Sequence, residues 1–158
     1  MTLHYHFPQN SGWHIEILAT DISTRALARA QAGIWPVEKA RQIPVHYLKA
    51  FMLRGTGTQE GKMMAGPDIK QAVRFERLNL LEERSYPHSM TFDLVFCRNV
   101  LIYFQQETKA QVVHRLLQRL RSDGYLFLGH SESVTHMIPN VRSAMPTVYM
   151  RPSALPTD

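Results

Sequence analysis

The sequence predicts an α/β fold in which helices cover a mostly parallel sheet and a small antiparallel β-subdomain is inserted. Three observations support this class. Apolar segments of strand length alternate along the chain with segments whose apolar residues recur at helical spacing. Several strand-like segments end in polar residues, as strands do at the carboxyl edge of a parallel sheet. A glycine-rich stretch, Arg54 to Gly61, lies between two apolar segments, which indicates a hairpin with a longer loop.

Length and composition bound the class of protein. The 158 residues are 44% hydrophobic and 20% charged, as in an ordinary globular domain. We see no apolar run near the ~18 residues of a membrane span and no signal peptide, so we expect a cytoplasmic protein. The net charge of +5 permits an acidic partner. The basic residues are scattered without a stacking motif, and we therefore expect no nucleic-acid binding.

Cysteine and histidine give little support for metal chemistry. Cys97 is the single cysteine and lies in an apolar segment, which favours a buried thiol over a reactive one. The eight histidines are dispersed, without carboxylates or thiolates at ligand spacing. We predict no metal site, and we interpret His130 as a structural residue of its turn.

The first βα unit runs from Trp13 to Gly33. Trp13 to Thr20 predicts a strand that Asp21 ends, Ser23 can cap a helix, and Gly33 supplies its left-handed end. An acid at this position of a doubly wound sheet can accept hydrogen bonds from the two hydroxyls of a ribose. The alternative is a surface aspartate that helps to cap the helix.

The middle of the chain contains a short helix, the hairpin and another strand. Pro44 suits the first turn of a helix through Phe51, and Gly66-Pro67-Asp68 predicts a turn after the hairpin. A phosphate loop is an alternative for the glycines, but no Gly-Lys-Ser/Thr ending follows them. Val73 to Leu78 then alternates as a strand does, and Asn79 follows it.

The strongest strand signal is Phe92 to Cys97, which predicts a buried central strand that carries Arg98 and Asn99 to the sheet edge. Asp21, Asn79, Arg98 and Asn99 would then lie along one edge. We predict that this edge holds a nucleoside-shaped ligand, although any one of these residues could be a satisfied turn residue.

The remaining segments complete the α/β pattern. Gln106 to Arg121 predicts the best helix of the chain, and Asp123-Gly124 is expected to end it. A short buried strand over Tyr125 to Leu128, an edge strand over Pro146 to Arg151 and a loose tail over 152–158 follow.

Five segments of the chain stand out by their order and spacing over about residues 1–150. They are Ala19-Thr20-Asp21-Ile22-Ser23, Arg54-Gly55-Thr56-Gly57, Asn79-Leu80-Leu81, Cys97-Arg98-Asn99-Val100-Leu101-Ile102-Tyr103-Phe104 and Gly129-His130-Ser131-Glu132-Ser133. Together they resemble the CheR family, the S-adenosylmethionine-dependent methyltransferases that modify glutamates on bacterial chemotaxis receptors. The resemblance implies a partial Rossmann-like class I methyltransferase sheet within one incomplete domain over 1–158, with the β-subdomain inserted at about 51–76.

The resemblance also implies cofactor-binding positions. Asp21 would hold the ribose hydroxyls of S-adenosylmethionine, and Asn79 with Leu80 would flank the adenine. Arg98 and Asn99 would lie by the amino acid end of the cofactor and its methyl group. S-adenosylhomocysteine would be the product.

Arg98 and Tyr103 are the catalytic candidates that the resemblance implies. A glutamate side chain with a pKa of about 4.3 is already ionised at neutral pH, so its attack on a sulfonium methyl group needs no general base. Arg98 could orient this carboxylate and Tyr103 would pack close to the reacting centre. The structural alternatives are an ion pair for Arg98 and a core aromatic for Tyr103.

The partner implied by the family is the cytoplasmic domain of a chemotaxis receptor, with a receptor C-terminal peptide docking on the β-subdomain in some members. Family members carry a helical domain, a first strand and a Gly-rich cofactor motif before the segment that matches Trp13, and these do not precede Trp13 here. We therefore expect a fragment or truncated form, inactive alone. The alternative is a catalytically dead interaction module that pairs with itself through its open sheet edge.

Overall fold

The computed structural model describes residues 1–8, 11–130, 132–134, 137–138 and 141–151. They form helices together with parallel and antiparallel sheets, which confirms the predicted α/β class. The chain divides into two compact units, Met1–Asn79 and Leu80–Asp158. The expected tail over 152–158 lies outside the described residues.

The first unit contains a parallel strand pair. After helix α1, Thr2–His6, strand β1, Ile17–Asp21, pairs in parallel with β5, Val73–Arg77. β1 begins later than the predicted Trp13 because the pairing with β5 starts at Ile17.

Helix α2, Thr24–Ala32, follows β1 and has the predicted caps. The Ser23 side chain accepts a hydrogen bond from the Ala26 N–H, and Gly33 ends the helix at φ 64°. These local signals were sufficient to place both helix ends.

The second sheet of this unit is antiparallel and contains β2, β4 and β3 in that order. The strands are Ile34–Pro36 for β2, Met52–Arg54 for β3 and Lys62–Ala65 for β4. A 3₁₀ helix, Val37–Gln42, follows β2, and helix α3, Val45–Phe51, begins after Pro44 as expected.

The strands of this antiparallel sheet lie between residues 34 and 65 rather than between about 51 and 76. β2 was missed because three residues with a proline give no alternation to detect. Val73–Arg77 lies in the parallel pair, so the β-subdomain ends before it. Met63 and Ala65 are buried in the central strand β4, although this arm shows no simple apolar and polar alternation in sequence.

The turn predicted at Gly66-Pro67-Asp68 is instead the start of a short helix, α4, Pro67–Gln71. Proline is well tolerated at the first position of a helix because that N–H has no intrahelical partner. Gly66 and Pro67 therefore mark the start of helix α4 and not a turn.

The second unit has a four-stranded sheet in the order β6, β7, β9 and β8. β6 is Phe92–Cys97, β7 is Leu120–Leu128, β8 is Arg142–Met145 and β9 is Val148–Met150. β6 and β7 are parallel, and the other pairs are antiparallel. Helix α5, Gln106–Gln118, connects the parallel strands and buries one stripe of apolar residues, which are Val112, Val113, Leu116 and Leu117.

The prediction of a buried central strand at Phe92 to Cys97 is wrong for the described residues. There β6 pairs only with β7, and Leu94 and Phe96 are 38% and 64% exposed. A run of apolar residues indicates that the faces of a strand are covered. It does not indicate whether the strand has a neighbour on one side or on both.

Two further boundaries differ from the prediction. Helix α5 ends at Gln118, and Asp123 and Gly124 lie inside β7. A Cβ on Gly124 would lie 3.0 Å from the carbonyl oxygens of Phe92 and Asp93, next to a register shift in the pairing of β6 with β7. Gly124 therefore allows the two strands to approach closely, and it does not end a helix as predicted. β9 is an internal strand, and β8 forms the edge that was predicted for it.

Candidate functional site

Asp21 and Asn79 lie at the same end of the parallel pair in the first unit. Asp21 is the last residue of β1, and its carbonyl accepts the Leu78 N–H at 3.2 Å, one residue before Asn79. Asp21 is exposed and Asn79 is half-buried. The structure therefore brings these two predicted site residues together.

The Asp21 carboxylate has a local role as well. Its Oδ1 accepts the Ser23 N–H at 2.8 Å, so the capping alternative is correct in that Asp21 supports the residue that caps α2. A carboxylate has about four acceptor positions, and one such bond leaves capacity for a ligand.

Leu80 begins the second unit and has a firmly held backbone. Its carbonyl accepts the Tyr86 hydroxyl at 2.9 Å and Arg115 Nη1 at 3.2 Å. Arg115 is itself paired with Glu83 at 2.7 Å. Burial raises the pKa of Tyr86 to about 12, so this hydroxyl remains a donor throughout the physiological range.

Arg98, Asn99 and Tyr103 follow β6 in the second unit and are exposed. Asn99 has a φ of 60°, which is a left-handed conformation that asparagine tolerates better than most residues. Tyr103 is 80% exposed in the 3₁₀ turn Leu101–Tyr103, so the core-aromatic alternative is wrong. Within the described part of the chain, no salt bridge of Arg98 is found.

Glu132 is a site residue to which the sequence analysis gave no role. It is 6% exposed, and its Oε2 accepts the N–H groups of Gly129 at 2.6 Å and Asn99 at 3.2 Å. Its Oε1 accepts the Ile102 N–H at 3.2 Å. The sequence offered one signal for this role, because Glu132 lies three residues after Gly129, the glycine that follows an apolar strand.

Cys97 ends β6 as a buried free thiol, which confirms the prediction for this residue. Burial, and then the nearby charge of Glu132, raise the pKa of Cys97 to about 11. The thiol is therefore protonated at neutral pH and is a poor nucleophile.

Each unit contains a cavity. One of ≈ 310 Å³ is in the first unit against Trp35, Met52 and Met63, and one of ≈ 470 Å³ is in the second unit against His114 and Arg115. The described residues contain no group of three His, Cys, Asp or Glu side chains that could hold a metal. Among them there is also no helix long and apolar enough to cross a membrane.

A family model described as "CheR methyltransferase, SAM binding domain" matches residues 1–150, and the chain belongs to this family. The fold is therefore the Rossmann-like methyltransferase fold, and S-adenosylmethionine is the cofactor of this type of domain.

The chain is similar to several curated chemotaxis enzymes. It is 40% identical over 135 residues to "Chemotaxis protein methyltransferase 2" of Pseudomonas aeruginosa, covering 85% of this chain and 48% of that protein. It is 37% identical over 134 residues to "Chemotaxis protein methyltransferase" of Escherichia coli, covering 85% and 46%. The chain thus spans about half the length of the relatives that it matches.

Among solved structures, the chain is similar to one titled "A Pericyclic Reaction enzyme", with a TM-score of 0.45 at 10% identity over 84% of this chain and 24% of the other. A likeness at this level adds nothing to the family assignment.

Proposed function

We propose that the protein containing this chain transfers the methyl group of S-adenosylmethionine to glutamate side chains on the cytoplasmic domain of chemotaxis receptors. The observation that carries the proposal is the placement of polar residues at the carboxyl ends of parallel strands in both units of a CheR-family chain. The reaction would take place in the cytoplasm and leave S-adenosylhomocysteine.

The residues of this chain fit the chemical groups of the cofactor. The exposed carboxylate of Asp21 would accept hydrogen bonds from the ribose hydroxyls, while Asn79 and Leu80 would flank the adenine. Arg98 and Asn99 would lie by the amino acid end, where the Asn99 amide can bind the cofactor's carboxylate and Arg98 would contact the substrate. When bound, S-adenosylmethionine would supply an electrophilic methyl group.

Catalysis would rest on positioning the substrate carboxylate. A glutamate is ionised at neutral pH, so the chain needs no base to activate it. Arg98 would orient that carboxylate by a bidentate contact, and Tyr103 would pack beside it and help to exclude water. The exposure of both side chains leaves them accessible to a protein substrate.

A direct test uses a chimera in which the upstream half of the Pseudomonas aeruginosa relative precedes this chain. We expect the chimera to transfer a labelled methyl group from S-adenosylmethionine to glutamates of a chemotaxis receptor in membranes. A receptor with the modified glutamates replaced by alanine is the control. Binding of the cofactor without any transfer to several receptors would contradict the proposed substrate.

The chain by itself should bind the cofactor weakly. In the described residues no strand pairing joins the parallel pair of the first unit to the sheet of the second unit. Cofactor-binding residues on separate sheets would have to be ordered together when the ligand binds, which costs free energy. Tight binding by the chain alone would contradict this part of the proposal.

The β-subdomain is proposed to dock a receptor C-terminal peptide. β2 and β3 are the outer strands of its three-stranded sheet, and an extended peptide can add to such an edge. Peptide binding to the chain, measured by fluorescence anisotropy, tests this, and an unrelated peptide of equal charge is the control. Equal binding of both peptides would contradict specific docking.

A second candidate is an interaction module that pairs with a second copy of itself. It is favoured by β6, which exposes Leu94 and Phe96 and pairs only with β7 in the described residues. Sedimentation of the chain should then show a dimer that Phe96→Lys dissociates. A monomer at all concentrations would contradict this candidate.

A further inference from the structure

The buried carboxylate of Glu132 joins two turns that follow neighbouring parallel strands. Asn99 and Ile102 belong to the turn after β6, and Gly129 follows β7. Three backbone N–H groups from these two turns donate to the two oxygens of Glu132. Burying a carboxylate is costly unless such donors surround it, so this arrangement fixes both turns together.

The same carboxylate holds Asn99 in an unfavourable conformation. A non-glycine residue seldom adopts the left-handed region and stays there only where the surroundings hold it. The bond from the Asn99 N–H to Glu132 Oε2 is such a determinant.

Gly129 leaves the space in which this contact forms. A Cβ on Gly129 would lie 2.5 Å from Glu132 Oε2 and 2.9 Å from Asn99 Oδ1. A side chain there would displace the carboxylate, the Asn99 amide, or both.

We propose that Glu132 is a positioning residue of the cofactor site, which sets the Asn99 turn so that its side chain faces the amino acid end of S-adenosylmethionine. The inference rests on the proposed function because Asn99 acts on a ligand only if the domain binds this cofactor. Glu132 acts through the backbone of Asn99 and does not touch the ligand.

The test compares the ¹⁵N-labelled chain with Glu132→Gln by NMR. An amide side chain has one acceptor oxygen and brings an NH₂ group toward backbone donors. We expect hydrogen exchange at Asn99, Ile102 or Gly129 to accelerate at least tenfold, while the α5 amides Val112 and Val113 remain protected. Glu107→Gln, at an exposed acid in the first turn of α5, is the control and should leave these rates unchanged.

The second readout is a titration with millimolar S-adenosylmethionine. In the wild type we expect shifts at both Asp21 and Asn99. In Glu132→Gln both shifts should require several-fold more ligand, and at saturation the Asn99 shift should be clearly smaller than in the wild type while the Asp21 shift keeps its size. A merely structural loss of stability would leave the size of both saturated shifts unchanged.

The possible outcomes separate the inference from the proposed function. Unchanged exchange at all three amides, or a wild-type response of Asn99 in Glu132→Gln, would overturn the inference. The proposed function fails separately if the chimera neither binds S-adenosylmethionine nor transfers its methyl group, and exchange at the three amides would then still decide whether Glu132 holds the turn. If Glu132→Gln does not fold, Gly129→Ala should show the same loss of protection because it displaces the carboxylate.

Discussion

Arg98 is the residue whose charge the proposed chemistry uses most directly. Arg98→Ala in the chimera should lower methyl transfer by about 100-fold or more, because an unoriented carboxylate loses the advantage of a fixed approach. Cofactor affinity should change by only a few-fold. Initial rates with labelled cofactor, together with calorimetry, measure the two effects.

The control for Arg98 is Arg29→Ala, an exposed arginine in the last turn of α2. It removes the same charge at the end of the helix that is remote from Asp21 and should keep wild-type turnover. Wild-type turnover by Arg98→Ala would remove the proposed role.

Cys97 provides a test of the environment at the end of β6. Its pKa of about 11, against the ordinary 9.0, means about 100-fold less thiolate at pH 8. Alkylation by iodoacetamide should therefore be at least about 100-fold slower in the native chain than in urea. The alkylation rate of the native chain should rise with pH up to about 11, because the fraction of reactive thiolate increases until the pH reaches the pKa. Equal rates in both states would show that the thiol is not buried.

Local chemistry made some residues predictable and left others hidden. Ser23, Gly33 and Cys97 were predicted because a cap, a left-handed stop and an apolar neighbourhood are properties of short segments. Glu132 was missed because two of its three donors, Asn99 and Ile102, lie about 30 residues earlier, and the nearby donor Gly129 does not by itself indicate them.

At the scale of elements, the hairpin between β3 and β4 was predicted from its glycines. Two of these glycines have different structural roles. A Cβ on Gly55 would collide with the Gln59 carbonyl, whereas Gly57 has a φ of 57° and open space around it.

These structural roles predict different losses of stability for two matched substitutions. Gly57→Ala should cost about 1 kcal/mol because of its left-handed backbone. Gly55→Ala should cost more, about 2–3 kcal/mol, since the loop must move. Hydrogen exchange of the Gly55 amide and the β4 amides measures both, because Gly55 N–H donates to the Lys62 carbonyl. Equal protection in the two variants would contradict the assignment of the clash.

Elements whose signals are non-local were predicted less well. β2 has three residues and exists because β4 pairs with it, while the edge position of β6 depends on which strands lie beside it. β7 was predicted too short because Gly124 was interpreted as the end of helix α5. In the structure this glycine lies inside β7, where it lets β6 approach closely. Pairing partners decide such features, and the sequence of one segment does not contain them.

At the scale of the whole molecule, alternation of strands and helices predicted the α/β class, and the motif segments predicted the CheR family. The positions proposed to hold the cofactor are divided between the units, with Asp21 and Asn79 in one and Leu80, Arg98 and Asn99 in the other. The proposed function therefore predicts that substitutions in either unit weaken cofactor binding.

Calorimetry with S-adenosylmethionine on the chimera tests that prediction most directly. The chimera should bind, and Asp21→Ala in the first unit and Asn99→Ala in the second should each weaken binding about tenfold or more, since each would remove hydrogen bonds of about 1.5 kcal/mol. Glu107→Gln should bind as the unsubstituted chimera does. Undiminished affinity in either alanine variant would contradict the claim that strand ends of both units hold the cofactor.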